Sequence, residues 1–229
     1  MQYGRKKLGK TPEIVSLQTE KIYGRKMTKK IVLGVIAAIA AIIVIAGIAV
    51  SGTYNNLVQL DQATQAQWAQ VQNVYQRRAD LVPNLVATVK GAANFEQQTL
   101  TAVTDARSRV GQVTSGAIEN IARDPQAFAR FQQAQDGLSS ALSRLMVVAE
   151  NYPELKATQN FRDLQVQLEG TENRITVERM RFNETAQAFN TKRDTFPTVI
   201  VAGFFGSRFQ SKPYFQAQAG AEKAPEVKF

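Results

Sequence analysis

The chain of 229 residues contains no cysteine and no histidine. The first absence excludes a disulfide framework, a thiolate metal site, a cysteine nucleophile and a lipidated N-terminal cysteine. The second removes the usual general base and the commonest zinc ligand. Most catalytic arrangements are hard to build from what is left, so the sequence offers no catalytic residue, no metal site and no cofactor site. Alternating strand patterns are missing too. Apolar residues recur at helical spacing instead, and a hydrophobic content of 44% is enough for a packed core.

Positive charge is plentiful, and its placement decides what it means. The formal charge is +9; residues 1–30 hold nine Lys/Arg against two Asp/Glu, a net of +7, and residues 31–229 hold nineteen against seventeen, a net of +2. Basicity confined to one terminal block is not the footprint of a nucleic-acid-binding body, so no nucleic-acid partner is expected. The block borders residues 31–50, IVLGVIAAIAAIIVIAGIAV, which carry no charge. As a helix this run spans about 30 Å, the thickness of a bilayer core, and makes the lipid bilayer the first expected partner.

A cleaved signal peptide is the competing reading, with Ala49-Val50-Ser51 as a tolerable cleavage site. Signal cores are shorter, about 7–15 apolar residues, which favours a retained anchor. Lys29, Lys30 and the basic residues before them should stay cytoplasmic, which makes this a single-pass membrane protein with its body outside the cytoplasm. Met27-Thr28-Lys29-Lys30 would serve as a complete start, so residues 1–26 read as an extension without a motif.

The expected organisation is a basic segment over 1–30, a transmembrane helix over 31–52, an extracytoplasmic helical bundle over 53–196 and an aromatic-rich irregular tail over 197–229. In the bundle, a first helix from Tyr54 to Ala92 carries Leu57, Trp68, Val71, Tyr75, Val82, Leu85 and Val89 along one seam, and Gly91 stops it. Asn94 and Gln97 read as a capping box for a second helix, with Leu100, Val103 and Val110 inward and a loop from Gly111 to Arg123. Asp124-Pro125 opens a third, with Phe128, Phe131, Gln135, Leu138, Leu142, Leu145, Ala149 and Tyr152 three and four residues apart. After Pro153, Phe161, Leu168, Ile175, Phe182, Phe189 and Phe196 recur every seven residues, a coiled-coil-like spacing. The fold class is therefore all-α: an N-terminal transmembrane helix, an antiparallel up-and-down four-helix bundle and an irregular tail.

Two polar features interrupt the first helix. Arg78 falls on its apolar seam and needs a carboxylate, because an unpaired buried charge costs several kcal/mol, roughly. If the first and last helices run antiparallel, matching Val89 to Phe161 makes paired positions sum to 250, which sets Arg78 level with Glu172. Pro83 removes a helical N–H and leaves the Ala79 carbonyl without its donor, which Asn173 or Arg174 could replace. Gly170 gives up about 1 kcal/mol of helix propensity, and a close approach of the first helix would offset that. Arg78, Pro83, Gly170, Glu172 and Asn173 are thus the candidates for a structural polar clamp. Arg77, Asp80 and Asn84 lie nearly opposite, as a solvated face or an interaction face.

These residues also carry a resemblance. Tyr75-Gln-Arg-Arg-Ala-Asp-Leu-Val-Pro-Asn-Leu-Val86, Glu150-Asn-Tyr-Pro-Glu-Leu155, Leu168-Glu-Gly-Thr-Glu-Asn-Arg-Ile175, and Phe196-Pro-Thr198 with Ala202-Gly-Phe-Phe-Gly206 resemble the LemA family of bacterial membrane proteins. The resemblance covers about residues 31–215. It implies a single N-terminal membrane helix carrying an extracytoplasmic helical bundle, and it supplies no reaction.

The function expected is a non-enzymatic, membrane-anchored scaffold or interaction protein of the cell envelope, a homo-oligomer or bound to other envelope proteins. The alternative is a periplasmic ligand-sensing or ligand-binding bundle. A carboxylate metal site would have only Glu169 and Glu172 to draw on, without the Glu-x-x-His motif that bundle di-metal sites use. In the tail, Phe204, Phe205, Phe209, Tyr214 and Phe215 carry more apolar area than a solvated segment leaves exposed, so the tail either folds back along the bundle or docks on lipid headgroups or a neighbouring subunit.

The topology is open to direct test. Protease added to cells whose outer membrane is permeable or absent should digest the body and spare the N-terminus; release of a shortened soluble body would show that residues 31–50 are a cleaved signal.

Overall fold

A computed structural model describes residues 12–91, 95–115 and 121–217, with side chains described from residue 29 onward except Ser115. Among these residues there is no strand. The chain divides into two compact units, residues 1–52 and 53–229.

Helix α1, Pro12–Lys90, passes through both units. In the first unit it carries the uncharged run, long and apolar enough to cross a membrane, and every side chain from residue 29 to 52 is exposed. The expected separate helices over 31–52 and from Tyr54 are one uninterrupted element: no proline or paired glycine lies between them, and Gly52 alone lowers helix propensity by only about 1 kcal/mol.

In the second unit the buried positions of α1 are Leu57, Asp61, Thr64, Trp68, Val71, Tyr75, Arg78, Val82, Leu85 and Val89, alternating four and three residues apart, with Ala79 beside them. That is the 3.5-residue period at which one helical seam keeps facing its neighbours. Helix α2, Gln97–Ser115, buries Thr99, Leu100, Val103, Ala106 and Val110. It continues past Gly111, whose added Cβ would meet open space, so the expected loop is shorter than Gly111 to Arg123. Asn94, half of the expected capping box, lies outside the described residues.

Helix α3, Pro125–Ala149, starts as its sequence dictates: Asp124 is extended and accepts a hydrogen bond from the Gln126 N–H, with proline in the first turn. A short α4, Pro153–Ala157, ends at Thr158, where extended backbone separates it from α5, Gln159–Asp194. Phe161, Leu168, Ile175, Phe182 and Phe189 are buried on α5. Phe196 does not continue that seam. The helix stops at Asp194, and Phe196 is 76% exposed.

The tail is more regular than expected. Helix α6, Thr198–Phe204, is followed by a 3₁₀ turn, Gly206–Phe209, and a strap from 210 to 217 that is neither helix nor strand. Gly206, which opens the 3₁₀ turn, has φ +43°, a left-handed conformation that favours glycine.

Three apolar clusters are stacked along the second unit. One gathers Val82, Leu85 and Val89 with Leu138, Leu142, Leu145, Phe161 and Leu168. The next centres on Trp68, Val71 and Tyr75 with Phe128, Phe131, Ile175, Phe182 and the strap's Phe215. The last holds Leu57, Phe189, Ala202 and Phe209. Contacts between α1 and α5 pair Thr64 with the Thr185 carbonyl (3.3 Å), Gln67 with Glu178 (2.5 Å) and Arg78 with Glu172 (2.8 Å), so position falls on α5 as it rises on α1.

Pro83 lies on the exposed side of α1, and the donor that replaces its missing N–H comes from α2: Arg107 Nε donates to the Ala79 carbonyl at 3.0 Å. Neither Asn173 nor Arg174 makes this contact; both are exposed on α5. The arrangement predicts that Arg107→Ala destabilises the body by about 1 kcal/mol or more by stripping a half-buried carbonyl of its donor. In a Pro83→Ala background, where the helix supplies its own N–H, the same change should cost less. Equal losses in both backgrounds, measured by chemical denaturation, would remove this role from Arg107.

Candidate functional site

Among the described residues, Arg78 has the largest fully buried side chain, at 1% exposure. A charge this deep is held by filling the donors of its two terminal nitrogens, while Nε stays buried without a hydrogen-bond partner. Nη1 donates to Glu172 Oε1 at 2.8 Å and to Ser139 Oγ at 2.9 Å, while Nη2 donates to the Gln135 carbonyl at 3.0 Å and to Gln135 Oε1 at 2.5 Å. The guanidinium carbon also lies 5.1 Å from the Tyr75 ring centre. One planar group therefore ties α1 to α3 and α5 simultaneously, which the forked geometry of arginine allows and a lysine ammonium would not reproduce.

Glu172 is half-buried, its side chain 37% exposed, so the pair is asymmetric: a fully buried cation and a partly solvated anion. An open cleft of about 610 Å³ adjoins it, lined by Ser139, Met146, Leu168, Glu169, Glu172 and Asn173. Glu169 is exposed and bonded by Gln165, and Glu172 is engaged with Arg78, so the two carboxylates are not presented as a chelating pair. Gly170 is exposed, with nothing within 4 Å of an added Cβ; it marks no close approach of α1. Of the five clamp candidates, then, the structure brings together Arg78 and Glu172 and leaves Pro83, Gly170 and Asn173 on outer surfaces. Burial raises the Tyr75 hydroxyl above its ordinary value of 10.0, against the opposing pull of the Arg179 and Arg78 charges, and it stays a neutral phenol near pH 7.

The strap brings a second buried ion pair, to which no periodicity in the sequence points. Asp61 and Lys212 are 5% and 3% exposed and lie 2.5 Å apart, with Arg123 (3.1 Å) and Gln65 (2.7 Å) on the other oxygen of Asp61. This pair fastens the strap to α1. Two asparagines one heptad apart on α5 then grip the strap backbone in the same way. Asn190 donates to the Lys212 carbonyl (2.9 Å) and accepts from its N–H (2.8 Å); Asn183 does the same for Phe215, at 3.0 and 2.9 Å. A carboxamide has one donor and one acceptor side, so each asparagine replaces the partner that a backbone would find in a sheet. Arg179 Nη2 and Gln132 Nε2 both reach the Gln216 carbonyl, and Phe215 enters the aromatic cluster, 4.7 Å from Phe128 and 5.5 Å from Phe182 between ring centres.

The sequence marks this second site only in part. Asp61 occupies the same four-and-three seam as Arg78, and the dipeptide Phe-Asn recurs at 182–183 and 189–190; Lys212 stands in no periodic pattern. The five aromatic tail candidates divide. Phe209 and Phe215 are buried, Phe205 and Tyr214 are 38% and 42% exposed, and Phe204 is 85% exposed. Arg77, Asp80 and Asn84 are exposed on α1, with Asp80 accepting from Gln76 at 2.7 Å.

A continuous apolar N-terminal helix and an all-helical body knitted by buried ion pairs describe a membrane-associated helical protein. The profile of the LemA family matches residues 67–229, and the chain belongs to that family. Magnetosome protein MamQ 2 of Paramagnetospirillum magneticum is 26% identical over 205 residues, covering 83% of this chain and 72% of its own. Protein LemA of Metamycoplasma hominis is 26% identical over 151 residues, covering 66% of this chain and 64% of its own.

The asymmetry of the Arg78 pair yields a sharp expectation. Glu172→Ala leaves a buried guanidinium without its carboxylate and should cost about 3 kcal/mol. Combining it with Arg78→Met, which removes the stranded charge while keeping most of the volume, should recover a good part of that loss. Strictly additive losses in urea denaturation would show that the two residues do not act as a pair.

Proposed function

We propose that this protein is a non-enzymatic scaffold of the bacterial cell envelope: anchored in the cytoplasmic (inner) membrane by residues 31–50, its N-terminus cytoplasmic, its body an extracytoplasmic antiparallel four-helix bundle that associates with itself or with other envelope proteins. The observation that carries this reading is how the buried charges are used. Arg78 closes on Glu172, Gln135 and Ser139, and Asp61 closes on Lys212 and Arg123, so these groups fix helix pairing and hold the strap. Charges committed to one another in this way specify an arrangement; they are not held ready for a substrate. The descending order of the α1–α5 contacts supports the antiparallel pairing.

The surface left for a partner includes the face bearing Arg77, Asp80 and Asn84, which is exposed over two turns of α1. A photo-crosslinking amino acid placed in turn at Arg77, Asp80 and Asn84 in intact cells should yield adducts with a second copy or with identifiable envelope proteins. Monomer alone at all three positions would exclude this face as the contact and leave the scaffold reading without its proposed surface.

A further inference from the structure

Helix α6 has its polarity inside out. Its sequence, TVIVAGF, contains one polar side chain, Thr198, and that residue is 1% exposed; Val201 and Ala202 are buried beside it. The open side presents Ile200 at 64%, Val199 at 43% and Phe204 at 85%, and Phe196, just before the helix, is 76% exposed. A helix that is apolar all round belongs in a core or in lipid, and here half of it faces outward. Two largely exposed phenylalanines with Val199 and Ile200 amount to an apolar surface on the order of a few hundred Å², the size at which exposed patches mark contacts.

The chain itself indicates which contact. Rings following α6 rest on Tyr54: Phe205 at 4.8 Å and Phe209 at 5.4 Å between centres. Tyr54 is only four residues beyond Val50, where the uncharged run ends. Four residues reach at most about 14 Å when fully extended, so Tyr54 is leashed within about that distance of the end of the spanning run, and the patch lies beyond it by the packed rings and at most the length of α6, seven residues or about 10 Å. The exposed Arg208 lies next to the same tyrosine, its guanidinium carbon 5.7 Å from the Tyr54 ring centre. Exposed aromatic and aliphatic groups bordered by a cation match the apolar-to-headgroup boundary of an anionic bilayer.

We infer that Phe196, Val199, Ile200 and Phe204 form a second membrane contact, lying in the bilayer interface with Arg208 directed to lipid phosphates, so that the body is held against the membrane at two points. This rests on the reading of residues 31–50 as a retained span. Several occupants would suit an apolar surface; the four-residue leash to the spanning run favours lipid over a second copy of the chain.

The test uses the full chain reconstituted in phosphatidylcholine/phosphatidylglycerol nanodiscs with bromine on the upper acyl carbons, where only lipid-embedded indoles lose fluorescence. Native Trp68 is 5% exposed and provides the background to be subtracted. Phe204→Trp, at an 85% exposed position that should not disturb folding, is expected to add emission that the brominated lipid quenches; Ile45→Trp reports the span in the same way. Quenching at both positions supports the proposal. Quenching for Ile45→Trp but not Phe204→Trp overturns the interfacial contact while leaving the anchor intact. Loss of quenching at both removes the anchor and the contact together. If the Phe204→Trp emission is shielded only in discs holding two or more chains and escapes quenching, the occupant is a second copy and the lipid contact fails.

Discussion

A guanidinium that cannot reach water constrains everything packed around it. Arg78 sits at 1% exposure in the middle of the α1 seam, and its two terminal nitrogens find acceptors on α3 and α5 together. Sliding α5 by one helical turn, about 5.4 Å, would carry Glu172 out of reach and leave the charge buried alone. An apolar seam by itself does not discriminate between such registers, since one leucine or phenylalanine suits a neighbouring apolar socket nearly as well as another. The arginine makes the correct register distinct from its neighbours, as single polar positions do in coiled coils. Whether the pair adds net stability is secondary, because removing a member is costly even where an apolar replacement of both would be harmless.

The same device recurs along the body with the signs reversed. Asp61 on α1 is buried as Arg78 is, and its counter-charge, Lys212, is supplied by the strap. On α1, the order of apolar and charged positions runs Leu57, Asp61, Trp68 to Tyr75, Arg78, Val82 to Val89, so the two ion pairs fall between the three apolar clusters. An acid at one level and a base at the other are not interchangeable, because Asp61 needs a cation beside it and Arg78 a carboxylate. The core is in effect keyed at two heights.

How far the sequence discloses this depends on whether the partner of each polar residue is also periodic. Arg78 and Glu172 both lie on heptad-spaced helices, so aligning Val89 with Phe161 was enough to set them level. Gln135 was visible on the α3 seam, though its task as an acceptor for Arg78 was not. Asp61 shares the α1 seam, but Lys212 lies in a strap where no period connects it to anything, and a pattern argument has no means of finding it. The loss of the Ala79 donor at Pro83 followed from proline chemistry alone; that the replacement came from Arg107 depended on how α2 packs, which local sequence does not state. Gly170 misled because a glycine in a helix suggests a close contact, whereas here it faces open space.

The two halves of the tail follow opposite logic, and the difference bears on why α6 is exposed. The strap is fastened by two bidentate asparagines, a buried ion pair and a phenylalanine in the aromatic core. Upstream, Arg193 Nε holds the Phe209 carbonyl at 2.6 Å, and Thr198, Val201 and Ala202 are buried. Helix α6 is thus pinned at both ends, and the outward position of Phe204 and Ile200 is imposed by the packing around it. A free tail could collapse its phenylalanines onto the nearest apolar surface and relieve the exposure. A pinned one cannot, so the unfavourable hydration of that face persists whenever the body is folded in water, at roughly 25 cal/mol for each Å² left uncovered. Such a fixed apolar face is consistent with the body folding in the presence of whatever covers it, which ties the shape of the tail to its surroundings as firmly as Arg78 ties α1 to α5.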